Sequence, residues 1–81
     1  RPEPVMTAIA STPLSLLKAA YHLGNRHVAL EVSLQHLRFT PDPVLKQMVE
    51  QMGLTVKDEK VPFHPEQGAY ASQTSHDHHG H

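Results

Sequence analysis

The distribution of apolar and polar positions along the chain predicts four strands. In PVMTAIA, Val5, Thr7 and Ile9 alternate with their neighbours, which is typical of a short strand. HVALEVSL places four apolar side chains on one face of a second, half-buried strand: Val28, Leu30, Val32 and Leu34. HLRF follows closely enough to pair with it as a hairpin, and LTVKDEKVPF predicts a final strand.

The first helix is predicted where the period changes, in STPLSLLKAAYHLG. Thr12 suits the N-cap position and Pro13 the first helical position. Gly24 suits the left-handed residue at which a helix stops. The apolar residues form one stripe with two neighbours beside it: Leu14, Leu17 and Tyr21, flanked by Ala20 and Leu23.

A second helix is predicted in TPDPVLKQMVEQMG. Asp42 is the expected N-cap, Pro43 the first helical residue, and Gly53 the stop. The residues expected to form its buried face are Val44, Leu45, Met48, Val49 and Met52.

These elements follow the order βαββαβ, which predicts an α+β, ferredoxin-like fold. We expect a four-stranded antiparallel sheet with both helices on one face. Beyond Phe63 the periodicity is lost, and small and polar residues increase. We therefore predict one domain over residues 1–67 and a flexible, histidine-rich C-terminal tail over residues 68–81.

Length and composition narrow the classes of function. A chain of 81 residues holds one small core, so self-association is the expected source of additional stability. The absence of cysteine excludes disulfides and thiolate metal sites, and fits a cytoplasmic location. A net charge of −1 and the lack of a long apolar run predict neither a nucleic-acid nor a membrane partner. The opening RPEP, without an initiator Met, suggests part of a longer protein.

The sequence contains no recognisable catalytic motif, so we predict that the protein is not an enzyme. It has no Gly-x-Ser-x-Gly, no His-Glu-x-x-His and no glycine-rich phosphate loop. A ferredoxin-like fold hosts many functions and selects none of them. An RNA-recognition role is disfavoured because Phe39 is the only aromatic residue in the relevant strands.

Histidine is the remaining source of chemistry, with eight in the chain. The terminal TSHDHHGH supplies four of them: His76, His78, His79 and His81. Such a tail could be a laboratory handle, an end without a role, or a set of ligands for nickel, copper or zinc. The interruptions by Asp77 and Gly80 favour a natural tail over an engineered hexahistidine.

Among the other histidines, His27 has the most informative position. It follows the expected end of the first helix, where unsatisfied carbonyl groups favour a nearby cation. By its chemistry alone, the favoured interpretation of His27 is an ordinary, partly exposed loop residue hydrogen-bonded to the backbone. His22 is expected on the solvent side of the helix, His36 in the hairpin and His64 in the turn after the last strand. For these three we favour a structural role.

Three segments resemble the C-terminal domain of the UreE family of urease accessory proteins: AAYHLGNRHVALE, VLKQMVEQMGLTV and PFHPEQGAYAS. The motifs GNRH and PExGAYA carry the resemblance, which extends from about Pro4 to the end of the chain. It implies a ferredoxin-like nickel metallochaperone domain that takes part in assembly of the urease active site. It also implies an N-terminal domain in the full-length protein.

The resemblance assigns roles to particular residues. It implies a head-to-head homodimer in which His27 of each subunit meets at the two-fold axis, within a loop formed with Gly24, Asn25 and Arg26. Tail histidines would add ligands for Ni(II), and Cu(II) or Zn(II) would compete. The receiving partners would be the urease accessory GTPase and the urease apoprotein complex. Pro41 and Pro43 stand where some members carry further surface histidines, so a secondary site there is not expected.

Two other readings remain open from the sequence. A passive histidine-rich metal buffer would hold metal in the tail alone, and His27 would be irrelevant. A purely structural dimerisation module would show no dependence on metal.

Overall fold

The computed structural model of the protein describes residues 1–67. Its elements are β1 (Pro2–Ile9), α1 (Pro13–Asn25), β2 (Glu31–Val32), β3 (His36–Phe39), α2 (Pro43–Gln51) and β4 (Thr55–Pro62). The sheet has the strand order β2-β3-β1-β4, and every neighbouring pair is antiparallel. The predicted ferredoxin-like α+β fold is therefore confirmed. The predicted tail over residues 68–81 lies outside the described residues.

The core lies between the sheet and the two helices. The sheet contributes alternate residues of its central strands, including Met6, Ala8, Leu37 and Phe39. The helices contribute five fully or nearly fully buried side chains: Leu16, Ala19 and Leu23 from α1, and Leu45 and Val49 from α2. Both helices begin as predicted, because the side chains of Thr12 and Asp42 accept hydrogen bonds from the first-turn N–H groups.

The faces of the helices differ in part from those predicted. In α2, Val44 is 61% exposed, so only the rest of the expected face packs on or beside the core. In α1 the predicted stripe of Leu14, Leu17 and Tyr21 is exposed. This helix carries apolar residues around much of its circumference, and only one face can meet the sheet. Ala19 is fully buried, and its small side chain permits a close approach of the helix to the sheet.

Two predicted boundaries also change. The predicted second strand shortens to Glu31–Val32. Val28 and Leu30 lie before it in the connection from α1, and of the predicted buried face Val32 is 45% and Leu34 93% exposed. The first helix does not stop at Gly24, but continues to Asn25 with Arg26 as C-cap. The left-handed residue is His27, with φ of 59°. In α2 the prediction holds, since Met52 is the C-cap and Gly53 has φ of 95°.

Candidate metal-binding site

His27 occupies the turn that ends α1. Its N–H donates to the carbonyl of Gly24 at 3.1 Å, and the next N–H, of Val28, donates to Leu23 at 3.4 Å. This pair of bonds is the Schellman pattern, in which the first residue beyond the cap is left-handed. Leu23 is fully buried and Val28 packs against the core, so the turn is held to the domain. The His27 side chain itself is exposed.

The backbone conformation of His27 is unfavourable for a residue with a β-carbon. Left-handed φ costs a non-glycine residue about 1–2 kcal/mol, and glycine usually fills this position. Strain of this kind collects at functional sites, where a side chain is held in place against a conformational preference. The position of His27 therefore favours a role for its imidazole.

The three residues before His27 form an open surface with it. Gly24, Asn25 and Arg26 are all exposed. Gly24 lies within the helix, where glycine is less stable than alanine by roughly 0.5–1 kcal/mol. Apart from its chain neighbours and the backbone of its own helix, a β-carbon at Gly24 would meet no atom of the described residues within 4 Å. Packing within the subunit thus gives no reason for glycine at this position.

The described residues do not form a complete metal site. Within residues 1–67, no three His, Asp or Glu side chains lie close enough to hold an ion. The predicted tail ligands, His76, His78, His79 and His81, lie outside the described residues. His22 and His64 are exposed, and His36 is half-buried at the start of β3. His27 thus lies on the surface, and within residues 1–67 it belongs to no group of three such ligands.

An exposed apolar surface leads along α1 towards this turn. Leu14, Leu17 and Tyr21 are 59%, 66% and 65% exposed, and follow one side of the helix at helical spacing. Continuing that spacing reaches Gly24 and Asn25. Beside the stripe, a groove runs between α1 and the β2–β3 hairpin, where Val32 and Leu34 are also exposed. The three helix residues and the two hairpin residues together are called the apolar stripe: Leu14, Leu17, Tyr21, Val32 and Leu34.

The opposite face of the sheet carries a polar network that the sequence analysis missed. Arg38 bonds to Glu31 at 3.2 Å, to Glu59 at 3.4 Å and to the Thr7 hydroxyl at 3.1 Å. The Thr7 hydroxyl donates in turn to Glu59. That hydrogen bond, and then the positive charges of Lys57 and Arg38, lower the pKa of Glu59. Thr7 was visible in the sequence only as an alternating strand residue, so pattern alone could not place it in this network.

The segment after β4 is fastened to this network. We call residues 63–67 the strap. The N–H of His64 donates to the Glu31 carboxylate at 2.8 Å, and the N–H of Glu66 donates to the carbonyl of Leu30 at 2.8 Å. Since β4 and β2 are opposite edges of the sheet, the chain passes from one edge to the other within a few residues. The strap ends beside Leu30, three positions after His27 in sequence.

Comparison with known proteins assigns this small α+β domain to a class of enzyme accessory proteins. The family model described as the UreE urease accessory protein, C-terminal domain, matches residues 3–81. Urease accessory protein UreE of Nostoc punctiforme is 57% identical over all 81 residues of this chain, which cover 52% of that relative. The corresponding protein of Thermosynechococcus vestitus is 59% identical over 86% of this chain and 49% of its own length.

A third relative, the urease accessory protein UreE of Acinetobacter baumannii, is 58% identical over 96% of this chain and 48% of its own length. The chain belongs to the UreE urease accessory protein family and matches its C-terminal domain. Family membership confirms the resemblance seen in the sequence. The chain spans about half the length of the curated relatives it matches. Over residues 1–67, no helix has the length and apolar character needed to cross a bilayer.

Proposed function

We propose that this domain binds Ni(II) between two copies of itself and passes the ion on for assembly of the urease active site. The observation that carries the proposal is the strained, exposed His27 at the end of the apolar stripe. The proposed ligands are His27 from each subunit and histidines of the tail: His76, His78, His79 and His81. Nickel is the cargo in this proposal and not a resident cofactor.

The apolar stripe supports the homodimer. A patch of large exposed side chains on a small domain marks an interaction surface. A two-fold axis brings the same surface of both subunits together, so residues beside the axis meet their own copies. Because the stripe runs towards Gly24, a second copy that covers it also approaches the loop of His27. Gly24, with open space around it, allows the two backbones to come close.

The position of the strap supports ligation by the tail. Residue 66 is bonded beside Leu30, close in sequence to His27, and the first tail histidine is residue 76. A flexible chain of about ten residues has a root-mean-square span of roughly 17 Å. Tethered ligands of this kind act at effective concentrations in the millimolar range. Two fixed and several tethered imidazoles would give a site that binds nickel and still exchanges it, as a carrier requires.

Ligand chemistry alone does not make this site selective for nickel. Imidazole also binds Zn(II), and Cu(II) is bound more tightly by the same ligands. In this proposal, selectivity comes from the supply of metal and from the proteins that receive it. These are the urease accessory GTPase and the urease apoprotein complex.

Calorimetric titration with nickel across the pH range tests the proposal. A proton and the metal compete for the same imidazole lone pair, so binding should fall steeply between roughly pH 7 and 5. A His27→Asn variant should bind nickel at least about tenfold more weakly, because even groups outside the ligand shell cost that much. Asparagine is the suitable replacement, since it tolerates left-handed backbone better than alanine does.

The same titrations separate the rival functions. Truncation after Ser75 removes all four terminal histidines and should lower capacity while His27-dependent binding persists. If the loss with pH is equal in the native chain and in His27→Asn, the tail alone binds metal, and the domain is a passive buffer. Affinity that stays flat from pH 7 to 5 would exclude imidazole ligands. An unchanged dimer with no metal binding would leave only a structural dimerisation module.

A further inference from the structure

We propose that Glu31 is a positioning residue that fastens the strap, and with it the start of the tail, beside Leu30, three residues after His27 in sequence. The inference rests on the proposed function, because it concerns how the tail histidines reach that site. Glu31 would contact neither the metal nor its ligands. Its role would be to fix where the tether begins.

Glu31 joins the strap to the sheet through both carboxylate oxygens. Oε1 accepts from the N–H of His64 at 2.8 Å, and Oε2 pairs with the Arg38 guanidinium at 3.2 Å. The side chain is only 14% exposed. Arg38 also bonds to Thr7 and Glu59, so its guanidinium is fixed. The fixed guanidinium in turn holds the Glu31 carboxylate in the position from which it accepts the strap's hydrogen bond. A hydrogen bond with a charged acceptor is about twice as strong as one between neutral groups.

The strap is suited to being held by few bonds. Pro65 in the strap and Pro62 at the end of β4 have a fixed φ, and each restricts the residue before it to extended backbone. The chain here has few conformations to lose when it is fastened. A second bond, from the N–H of Glu66 to the carbonyl of Leu30, holds the strap two residues further along. Two contacts therefore suffice to define where residue 67 leaves the domain.

Releasing the strap would change the tether in two ways. Its fixed end would move back from β2 to the end of β4, on the opposite edge of the sheet. The number of residues between that fixed end and the first tail histidine would also increase. Effective concentration falls roughly as the −3/2 power of tether length, and falls further when the span to be covered grows. We expect loss of the Glu31 contact to weaken nickel binding about three- to tenfold.

The test compares Glu31→Ala with the matched control Glu59→Ala. Each substitution removes one carboxylate partner of Arg38 and the same charge, but Glu59 makes no bond to the strap. Nickel titration should show the expected weakening for Glu31→Ala and a change of less than about twofold for Glu59→Ala. Glu31→Gln keeps an acceptor oxygen, and should restore most of the affinity. In chains truncated after Ser75, Glu31→Ala should have no effect on nickel binding.

A metal-free measurement separates this inference from the proposed function. Amide hydrogen exchange should show that His64 and Glu66 lose protection about tenfold in Glu31→Ala and keep it in Glu59→Ala. Unchanged protection in Glu31→Ala, or equal weakening of nickel binding by the two alanine variants, would overturn the role of Glu31. If His27→Asn leaves nickel binding unchanged, the proposed function fails. That result does not depend on any of the Glu31 variants. An effect of Glu31→Ala that persists in the truncated chain would also overturn the inference, since no tail ligand then remains to be positioned.

Discussion

Helices α1 and α2 end with the same pattern of backbone bonds but with different residues at the left-handed position. In both, three successive N–H groups turn back to two carbonyls of the last turn. The bonds are Arg26 to Leu23, His27 to Gly24 and Val28 to Leu23 in α1, and Met52 to Val49, Gly53 to Glu50 and Leu54 to Val49 in α2. The left-handed residue is histidine in the first helix and glycine in the second.

The difference indicates what each helix end is suited to do. Glycine at this position avoids the clash of a β-carbon, so the end of α2 is favourable for stability. Histidine at the end of α1 costs about 1–2 kcal/mol for the same turn. A domain with a small core loses a noticeable part of its stability in this way. The end of α1 is therefore better explained by the exposed imidazole than by the turn it completes.

The two helices also differ on their outward faces. The exposed side of α2 is mainly polar and carries a Lys46–Glu50 pair at 3.8 Å. The exposed side of α1 carries Leu14, Leu17 and Tyr21. A polar face is satisfied by water, whereas a row of large apolar side chains favours a protein partner. Both differences favour α1 as the helix that carries the proposed metal and dimer site.

The largest expected effect is on the free energy of unfolding, which should differ between substitutions on the buried and the exposed face of α1. Leu23→Ala should lower the free energy of unfolding by about 2–5 kcal/mol, because Leu23 is fully buried at the turn before His27. Leu17→Ala should change the stability of the isolated subunit by less than about 0.5 kcal/mol, since Leu17 is 66% exposed. Urea unfolding at low protein concentration measures both.

Substitution of the exposed Leu17 should instead weaken self-association. If a second copy covers the apolar stripe, the native chain should unfold at a temperature that rises with protein concentration. Leu17→Ala should reduce that dependence. An association constant unaffected by Leu17→Ala would show that the stripe is not the contact between copies.

An exchange of the left-handed residues should give a smaller effect. Gly53→His should destabilise the domain by about 1–2 kcal/mol, because the φ of 95° is unfavourable for a residue with a β-carbon. Steric contact adds nothing to this cost, since the space around Gly53 is open. His27→Gly should stabilise it by up to about 1 kcal/mol and weaken nickel binding. Thermal unfolding and calorimetry would follow both variants. Destabilisation by His27→Gly would mean that the imidazole supports the fold.

The smallest effect is expected at Gly24. Gly24→Ala should stabilise the isolated helix end by about 0.5–1 kcal/mol, because alanine is the better helix former and the space is open. The same substitution should weaken association and nickel binding if a second copy approaches this backbone. Sedimentation analysis at several concentrations separates the two effects. Stronger association in Gly24→Ala would contradict the proposed approach.

Much of the fold could be predicted because its signals are local. Thr12 and Asp42 cap the helices through bonds to N–H groups within the next three residues, so nearby sequence is enough to place them. In β3, buried residues alternate with partly buried ones. In β1, residues 5–8 are all buried, and the core beneath the helices takes Met6 and Ala8 instead of the alternating Val5, Thr7 and Ile9. The tight connection between β2 and β3 predicts their pairing, which the structure confirms. Along the chain, alternation and capping gave the correct order of elements.

The candidate site was less predictable because it depends on relations between elements. Gly24 was chosen as the helix stop on residue type alone, yet the turn formed three residues later at His27. Val28 packs against the core beside the buried Leu23, so tertiary packing favours this later turn. The apolar residues of α1 have helical spacing on more than one face. Spacing could not show which of those faces would meet the sheet.

The sequence by itself determined the helices, the strands and their order, because caps, proline positions and apolar periods act over a few residues. It also supplied the motifs that identify the family, and the histidines of the tail. Only the tertiary structure decided that His27 would be left-handed, that Leu17 and Tyr21 would remain exposed, and that Glu31 would hold the strap beside β2. These outcomes depend on which surfaces fill the one available core, and residues distant in sequence make that choice together.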